Sequence, residues 1–98
     1  MKNNTINLAI QVLPQSNKQH PYSIVDKAIE IIQKSGFPYK VCPFETVVEG
    51  KWDELMAMVK EIHEVCYANN TQSMMCYLKI QTRNNEDVTI NDKMEKYQ

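Results

Sequence analysis

The feature that most constrains this fold is a hydrophobic pattern that changes twice from the period of a strand to the period of a helix. Residues 6–13 alternate between two faces, which predicts a strand that ends at Pro14, because proline cannot donate to a ladder. A helix capped by Ser23, with Asp26 three residues later, is expected to follow and to end at Gly36, which can adopt a left-handed conformation.

The rest of the chain is predicted to continue with two short strands, a second helix and a fourth strand. Two short strands are predicted at 39–42 and 44–49, with Pro43 at the turn between them. A second helix lies between Gly50 and Asn69, and a fourth strand covers 74–82. The order β-α-β-β-α-β predicts an α+β, ferredoxin-like sandwich: a four-stranded antiparallel sheet with two helices on one face. A short C-terminal helix capped by Thr89 is expected to dock through Met94 and Tyr97.

Length and charge set the broad class. With 98 residues the chain is long enough for one domain, 1–98, with one modest core. The formal net charge is −1, and lysines and arginines are scattered among acids, which argues against a nucleic-acid partner. The apolar N-terminal run is too short and too polar for a membrane segment. Three widely spaced cysteines without a C-x-x-C motif favour a reducing cytoplasm.

The sheet face opposite the helices is expected to be an interface. It is too apolar to be left entirely to water and too polar to be a core. Gln11 and Tyr77 are the interface residues predicted on it, and sheet-to-sheet assembly into a homodimer or homotetramer is the preferred interpretation. The full set on this face is Asn7, Ala9, Gln11, Leu13, Met75, Tyr77 and Gln81.

The strand that follows Pro43 has an unusual set of polar side chains. Thr46 is expected to point into the sandwich as a hydrogen-bond anchor, while Glu45 and Glu49 lie on the other face and could pair with a ligand amine or cation. His20, in the loop before the first helix, and Tyr39, beside Pro38, are further candidate ligand contacts. The alternative is that Thr46 is simply a good strand former and that both glutamates are solvated.

No catalytic or metal-binding constellation is predicted. His63, Cys66 and Cys76 could approach one another, but no fourth zinc ligand is apparent and both cysteines fall in apolar stripes. No nucleophile–base pair stands out, and with two glycines in the chain there is no phosphate-binding loop. Neither a metal nor a cofactor is expected.

Taken together, these motifs resemble the small YkoF-like thiamine-binding proteins over nearly the whole chain. The most specific of them is the Pro-x-x-Thr-x-x-Glu-Gly stretch. Within this stretch Glu45 stands where a small or amide residue would be expected. The matching residues are Val12-Leu13-Pro14, Ser35-Gly36, Tyr39, Pro43, Thr46, Glu49-Gly50, Asp53-Glu54 and Thr89-Ile90-Asn91-Asp92-Lys93.

The resemblance implies a non-enzymatic protein that binds thiamine or its hydroxymethylpyrimidine half and that assembles through sheet faces. An aminopyrimidine would use the hydroxyl of Thr46, and a thiazolium cation would use a carboxylate or an aromatic face. One alternative is a small dimeric ferredoxin-like enzyme acting on a small aromatic or lactone, which would need a convergent acid–base pair. An RNA-binding module is the least favoured, because Glu45 and Glu49 would repel phosphate.

Overall fold

The computed structural model describes residues 3–97 and has the predicted α+β sandwich. One antiparallel sheet, in the order β2-β3-β1-β4, has two long helices on one face. None of the helices in residues 3–97 is both long and apolar enough to cross a membrane. The elements are β1 (Thr5–Gln15), α1 (Pro21–Lys34), β2 (Tyr39–Val41), β3 (Thr46–Lys51), α2 (Trp52–Ala68), β4 (Ser73–Gln81) and α3 (Ile90–Met94), which continues as a 3₁₀ turn (Glu95–Tyr97).

The core lies between the helices and the β1–β3 part of the sheet. The alternation of β1 places Ile6, Leu8 and Ile10 on the covered face, as predicted. Both helices present an apolar stripe at helical spacing to this face. The buried side chains of the two helices are Ile24, Ala28 and Ile32 of α1 and Leu55, Met58, Ile62 and Cys66 of α2. Gly36 ends the first helical segment with φ +85°, as the sequence predicted.

Strand β1 is longer than predicted, since it continues through Pro14 to Gln15. Its two edges are paired over different lengths. On one edge β4 is opposite Asn7 through Gln15, whereas on the other β3 is opposite only Thr5 through Ile10. The missing N–H of Pro14 is tolerated because this part of β1 has a neighbour on one side only.

The first helix begins earlier than predicted. His20, and not Ser23, is the N-cap: its Nδ1 accepts a hydrogen bond from the Tyr22 N–H at 3.2 Å. Pro21 occupies the first turn, where its missing N–H is not needed. The Ser23 hydroxyl instead donates to the His20 carbonyl at 2.8 Å.

Residues 87–97, here called the C-terminal strap, cover one end of the open sheet face. The Val88 N–H donates to the Thr5 carbonyl at 2.9 Å, and Asn7 Nδ2 donates to the Val88 carbonyl at 2.9 Å. Asn7 is therefore buried, and the prediction that it lies on a bare face was wrong. The hydroxyl of Thr89 caps α3, as predicted, by accepting from the Asp92 N–H at 3.0 Å.

The strap docks through a different residue from those predicted. Met94 and Tyr97 are 39% and 70% exposed, so the prediction that they anchor this segment was wrong. Val88, at 1% exposed, is the buried apolar contact of the strap. The reason is that the main chain of Val88 binds Thr5 and Asn7 at the start of β1, whereas α3 has no buried residue.

Candidate functional site

The sheet has a gap beside the far half of β1. The pairing of β1 with β3 ends at Ile10 opposite Thr46. Before Thr46, the chain turns away from β1 in a loop of residues 42–45, closed by a hydrogen bond from the Cys42 N–H to the Glu45 carbonyl at 2.9 Å. No strand therefore lies beside Gln11–Gln15 on this side, in the part of the chain that the structure describes.

A cavity of about 250 Å³ lies at this gap, between the sheet and α1. Its inner wall is apolar and includes Val25, Ala28 and Ile29 of the first helix. The polar residues in its lining include Gln11 of β1, Glu45 and Thr46 beside it, and Tyr22 of α1. An apolar cleft with a few polar groups at one end is the usual form of a small-molecule site.

Thr46 supplies a hydroxyl to the cavity wall. The residue is 6% exposed, and its position on the covered face agrees with the alternation of β3. Among residues 3–97, no side chain or main-chain group forms a hydrogen bond with this hydroxyl. The Thr46 Oγ1 atom is not one of the buried polar atoms in residues 3–97 that lack a partner, so it is accessible at the cavity surface and free to bond to a ligand.

Glu45 connects the cavity with the open face of the sheet. Its carboxylate accepts a hydrogen bond from Lys79 Nζ at 2.9 Å, and the two side chains are 26% and 78% exposed. An ion pair with such an exposed lysine contributes little to stability, about 0–1 kcal/mol. The carboxylate can therefore exchange Lys79 for another cation at low cost.

A shallow groove on the open face shares a wall with this cavity. The residues common to both are Gln11, Cys42, Phe44 and Glu45. Tyr77, which is opposite Gln11 in the β1–β4 pairing, lines the groove and is 49% exposed. The two predicted interface residues thus lie side by side on the open face.

Three predicted ligand contacts lie outside the cavity wall. Tyr39 is on the edge strand β2, opposite Val48. His20 caps α1, with its ring 4.9 Å from that of Tyr22. The Glu49 Oε1 atom accepts a hydrogen bond from the Ile90 N–H at 2.8 Å and so fixes the C-terminal strap. The structure brings Thr46 and Glu45 together and leaves Tyr39, His20 and Glu49 as predictions from the sequence.

Two aromatic residues that were not predicted stand at the rim of the cavity. Tyr22, at the start of α1, is 75% exposed, and Phe44, in the loop before β3, is 81% exposed. The sequence placed Phe44 inside the third strand, which was wrong because that strand begins at Thr46. A proline immediately before an aromatic residue was the available signal that the ring stands on a turn.

The cysteines form no metal centre. Among residues 3–97, no group of three or more His, Cys, Asp and Glu residues is arranged to hold a metal ion. All three cysteines are free thiols. Burial raises the pKa of the Cys66 thiol, with a smaller contribution from nearby Cys76, whose own pKa burial also raises. Both are therefore held as neutral thiols in the core.

The chain matches a family of known proteins over most of its length. The model of a family described as thiamine-binding proteins matches residues 8–98. A UPF0045 protein from Clostridium perfringens is 36% identical over 93 residues, which cover 95% of this chain and 97% of that protein.

Solved structures have the same fold. A domain of unknown function from Bacillus cereus superposes with a TM-score of 0.93 at 36% identity, over 97% of this chain and 91% of the other. A candidate thiamine biosynthesis or salvage protein from Thermotoga maritima gives a TM-score of 0.86 at 30% identity, over 96% of this chain and 99% of the other. The resemblance noted in the sequence is thereby confirmed.

Proposed function

Because this chain belongs to the family of thiamine-binding proteins, we propose that its cavity binds thiamine or the hydroxymethylpyrimidine half of thiamine without converting it chemically. The role would be that of a carrier, a salvage protein or a sensor. The Thermotoga maritima relative, a candidate thiamine biosynthesis or salvage protein, supports a small-molecule role of this kind. The three free thiols support a reducing cytoplasm as its location.

One observation supports this proposal most directly: the hydroxyl of Thr46, which has no hydrogen-bond partner in residues 3–97, lies beside the apolar wall of the cavity. A flat aromatic ring suits the apolar wall formed by α1, and a ring nitrogen or an amine of an aminopyrimidine suits a hydroxyl, which both donates and accepts. Gln11 also lines the cavity and is a second polar residue there. The exposed rings of Tyr22 and Phe44 could stack on a ligand at the rim.

Glu45 gives the cavity an anionic group and supports a cationic or amine-bearing ligand. Its partner Lys79 is exposed to solvent and can be displaced. A thiazolium cation or a pyrimidine amine at the rim would then replace Lys79 beside the carboxylate.

Replacement of Thr46 by valine tests the proposal. Thr46→Val keeps the shape of the side chain and removes its hydroxyl, so affinity for thiamine or hydroxymethylpyrimidine should fall by about 1–3 kcal/mol, roughly 5- to 150-fold. Calorimetric titration of each ligand into the wild type and the variant measures the change. The expected wild-type result is one saturable site per subunit.

Thr71→Val is the matched control for this substitution. Thr71 is also buried, at 8% exposed, and its hydroxyl also has no partner, but it lies just before β4 and does not line the cavity. Its replacement should leave affinity unchanged. Equal affinities for the wild type and Thr46→Val would remove Thr46 from the site, and no heat with either ligand would contradict the proposed function.

We further propose that the open sheet face joins copies of this chain into a homodimer or a homotetramer. The part of this face that the C-terminal strap leaves open is apolar and exposed: Leu13 is 43%, Met75 57% and Tyr77 49% exposed. Patches of this kind on soluble proteins are usually interfaces. The polar residues Gln11 and Lys79 among them fit an interface rim.

A charge placed on this face should separate the copies. Tyr77→Glu puts a carboxylate at the centre of the patch, where a second copy would have to bury it, so the assembly should dissociate to monomers. Sedimentation velocity of the wild type and the variant at equal concentration gives the masses. Tyr67→Glu, at an equally exposed tyrosine of α2, should keep the wild-type mass. A monomeric wild type would overturn the proposal.

A further inference from the structure

We propose that the main-chain N–H and C=O of Val12 are a hydrogen-bonding site of the cavity and select a planar ligand with a hydrogen-bond acceptor next to a donor. This inference rests on the proposed function and names the edge of the ligand that is recognised. The site needs no functional side chain, because it is made by the backbone of a strand that lacks its neighbour.

The direction of the Val12 backbone follows from the pairing of β1. In an antiparallel ladder, both polar groups of one residue point to the same neighbouring strand, and those of the next residue point to the opposite side. The Gln15 carbonyl accepts a hydrogen bond from the N–H of Gln72, which leads directly into β4. The main-chain N–H and C=O groups of the odd-numbered residues of β1 therefore point toward β4. The main-chain groups of the even-numbered residues, which include Val12 and Pro14, point to the other side of the strand.

Pro14 agrees with this assignment. It is paired in register with Met74 of β4 and lies inside the strand. Proline has no N–H to donate, so it fits a ladder only where its nitrogen faces away from the paired neighbour. The even-numbered residues beyond Ile10 thus present their backbone to the gap, where Val12 offers a donor and an acceptor and Pro14 offers an acceptor alone.

The gap leaves these groups of Val12 without a strand to bind. Continuation of the β1–β3 register beyond Ile10 and Thr46 would place Phe44 opposite Val12, but Phe44 is in the turn that precedes β3. Among residues 3–97, no hydrogen bond joins the Val12 main chain to the 42–45 loop. Val12 also lines the cavity, so a ligand there can reach the groups that β3 would otherwise have used.

The chemistry of this edge defines the class of ligand. The N–H and C=O of one residue in an extended strand lie side by side and bind a partner that presents an acceptor beside a donor. A ring nitrogen adjacent to an exocyclic amine has this arrangement in a flat molecule, as in 4-aminopyrimidines and 2-aminopyrimidine. A ring without this nitrogen and this amine has neither the hydrogen-bond acceptor nor the donor that Val12 would recognise.

Backbone amide exchange and chemical shifts, measured by NMR, test the inference directly. In the free protein, the Val12 amide should exchange faster than those of Gln11 and Leu13, which are bonded to β4. Addition of hydroxymethylpyrimidine should slow exchange at Val12 roughly tenfold and leave Leu13 unchanged. 2-Aminopyrimidine at millimolar concentration, which has the same edge without the rest of the ligand, should shift the same Val12 signal.

A pair of proline variants gives an independent measurement. Val12→Pro deletes an N–H that no strand uses, whereas Leu13→Pro deletes one that bonds to β4, so Leu13→Pro should be the less stable of the two. Val12→Pro should weaken binding of hydroxymethylpyrimidine roughly tenfold, corresponding to one lost hydrogen bond. If Val12→Pro does not fold, amide exchange in the wild type decides the question.

The outcomes separate this inference from the proposed function. A Val12 response to 2-aminopyrimidine without binding of thiamine or hydroxymethylpyrimidine would support the hydrogen-bonding site at Val12. It would contradict the proposed ligand. Binding of hydroxymethylpyrimidine with no change at Val12 would overturn the inference and leave the proposed function standing. A Val12 amide already protected in the free protein, or no response at Val12 to any of these probes, would also overturn it.

Discussion

Ala28→Leu should abolish ligand binding by the cavity and leave the protein folded. Ala28 is 3% exposed and is the smallest side chain that α1 contributes to the cavity wall. Leucine at this position would extend into the space that a ligand ring needs, and it is a good helix former. Since the cavity can accept the added carbons, the cost in stability should stay near the lower end of about 1–3 kcal/mol for core overpacking. Affinity should fall at least a hundredfold, to below the limit of calorimetric detection.

Ala57→Leu is the matched control for this substitution. Ala57 is an exposed residue of α2 that does not line the cavity, so the same change there should leave affinity as in the wild type. Thermal denaturation of both variants shows whether the fold is retained. Full affinity in a folded Ala28→Leu protein would mean that the ligand binds elsewhere, and the open groove beside Tyr77 would then be the next candidate.

Leu55→Ala should give a large loss of stability. Leu55 is fully buried at the start of α2 and packs tightly against Gly50, where an added Cβ would lie 3.0 Å from Leu55 Cδ2. Truncation removes apolar contacts and leaves a cavity in a region that is held between a strand and a helix, so the free energy of unfolding should fall by about 2–5 kcal/mol. In a domain of this size, such a loss is a large part of the total stability.

Urea denaturation followed by circular dichroism measures this change as a shift of the midpoint at constant slope. Leu78→Ala, at a residue of β4 that is 37% exposed, makes the same chemical change at the margin of the helix-covered face and should cost well under half as much. Equal losses of unfolding free energy in the two variants would contradict the burial of Leu55 and the partial exposure of Leu78 in the structure.

The order of the elements could be predicted from the sequence because hydrophobic periodicity is a local property. The period-two pattern of 6–13 and the helical spacing in both helices were sufficient, and the same alternation placed Thr46 on the covered face. The prediction of the cap at Ser23 failed because His20 and Pro21 together form a better start one turn earlier. Local signals of similar strength compete at helix ends, and the sequence does not rank them.

Most of the candidate site depends on contacts between residues far apart in the chain. Alternation set Glu49 apart from Thr46, but Glu45 lies in the loop before β3 and lines the same cavity as Thr46. The bond of Glu49 to Ile90 joins residues 41 positions apart. The burial of Asn7 likewise depends on Val88, 81 positions away. The free edge at Val12 could not be predicted, because it is set by the residue at which the pairing of β3 with β1 begins. Side-chain patterns do not encode that point directly.

The position of the C-terminal strap has a consequence for the dynamics of this molecule. The strap is bound at Thr5 and Asn7, whereas the cavity begins near Ile10 and Gln11, and at about 3.3 Å per residue the two regions are roughly 10–20 Å apart along β1. Its contacts close a loop of 82 residues and involve few buried apolar side chains, features typical of a segment that opens first in native-state fluctuations. Such openings would enlarge the free sheet face while the cavity end of β1 keeps its pairing with β4. The surface available to a second copy would therefore change with these openings, while the space available to a ligand stays the same.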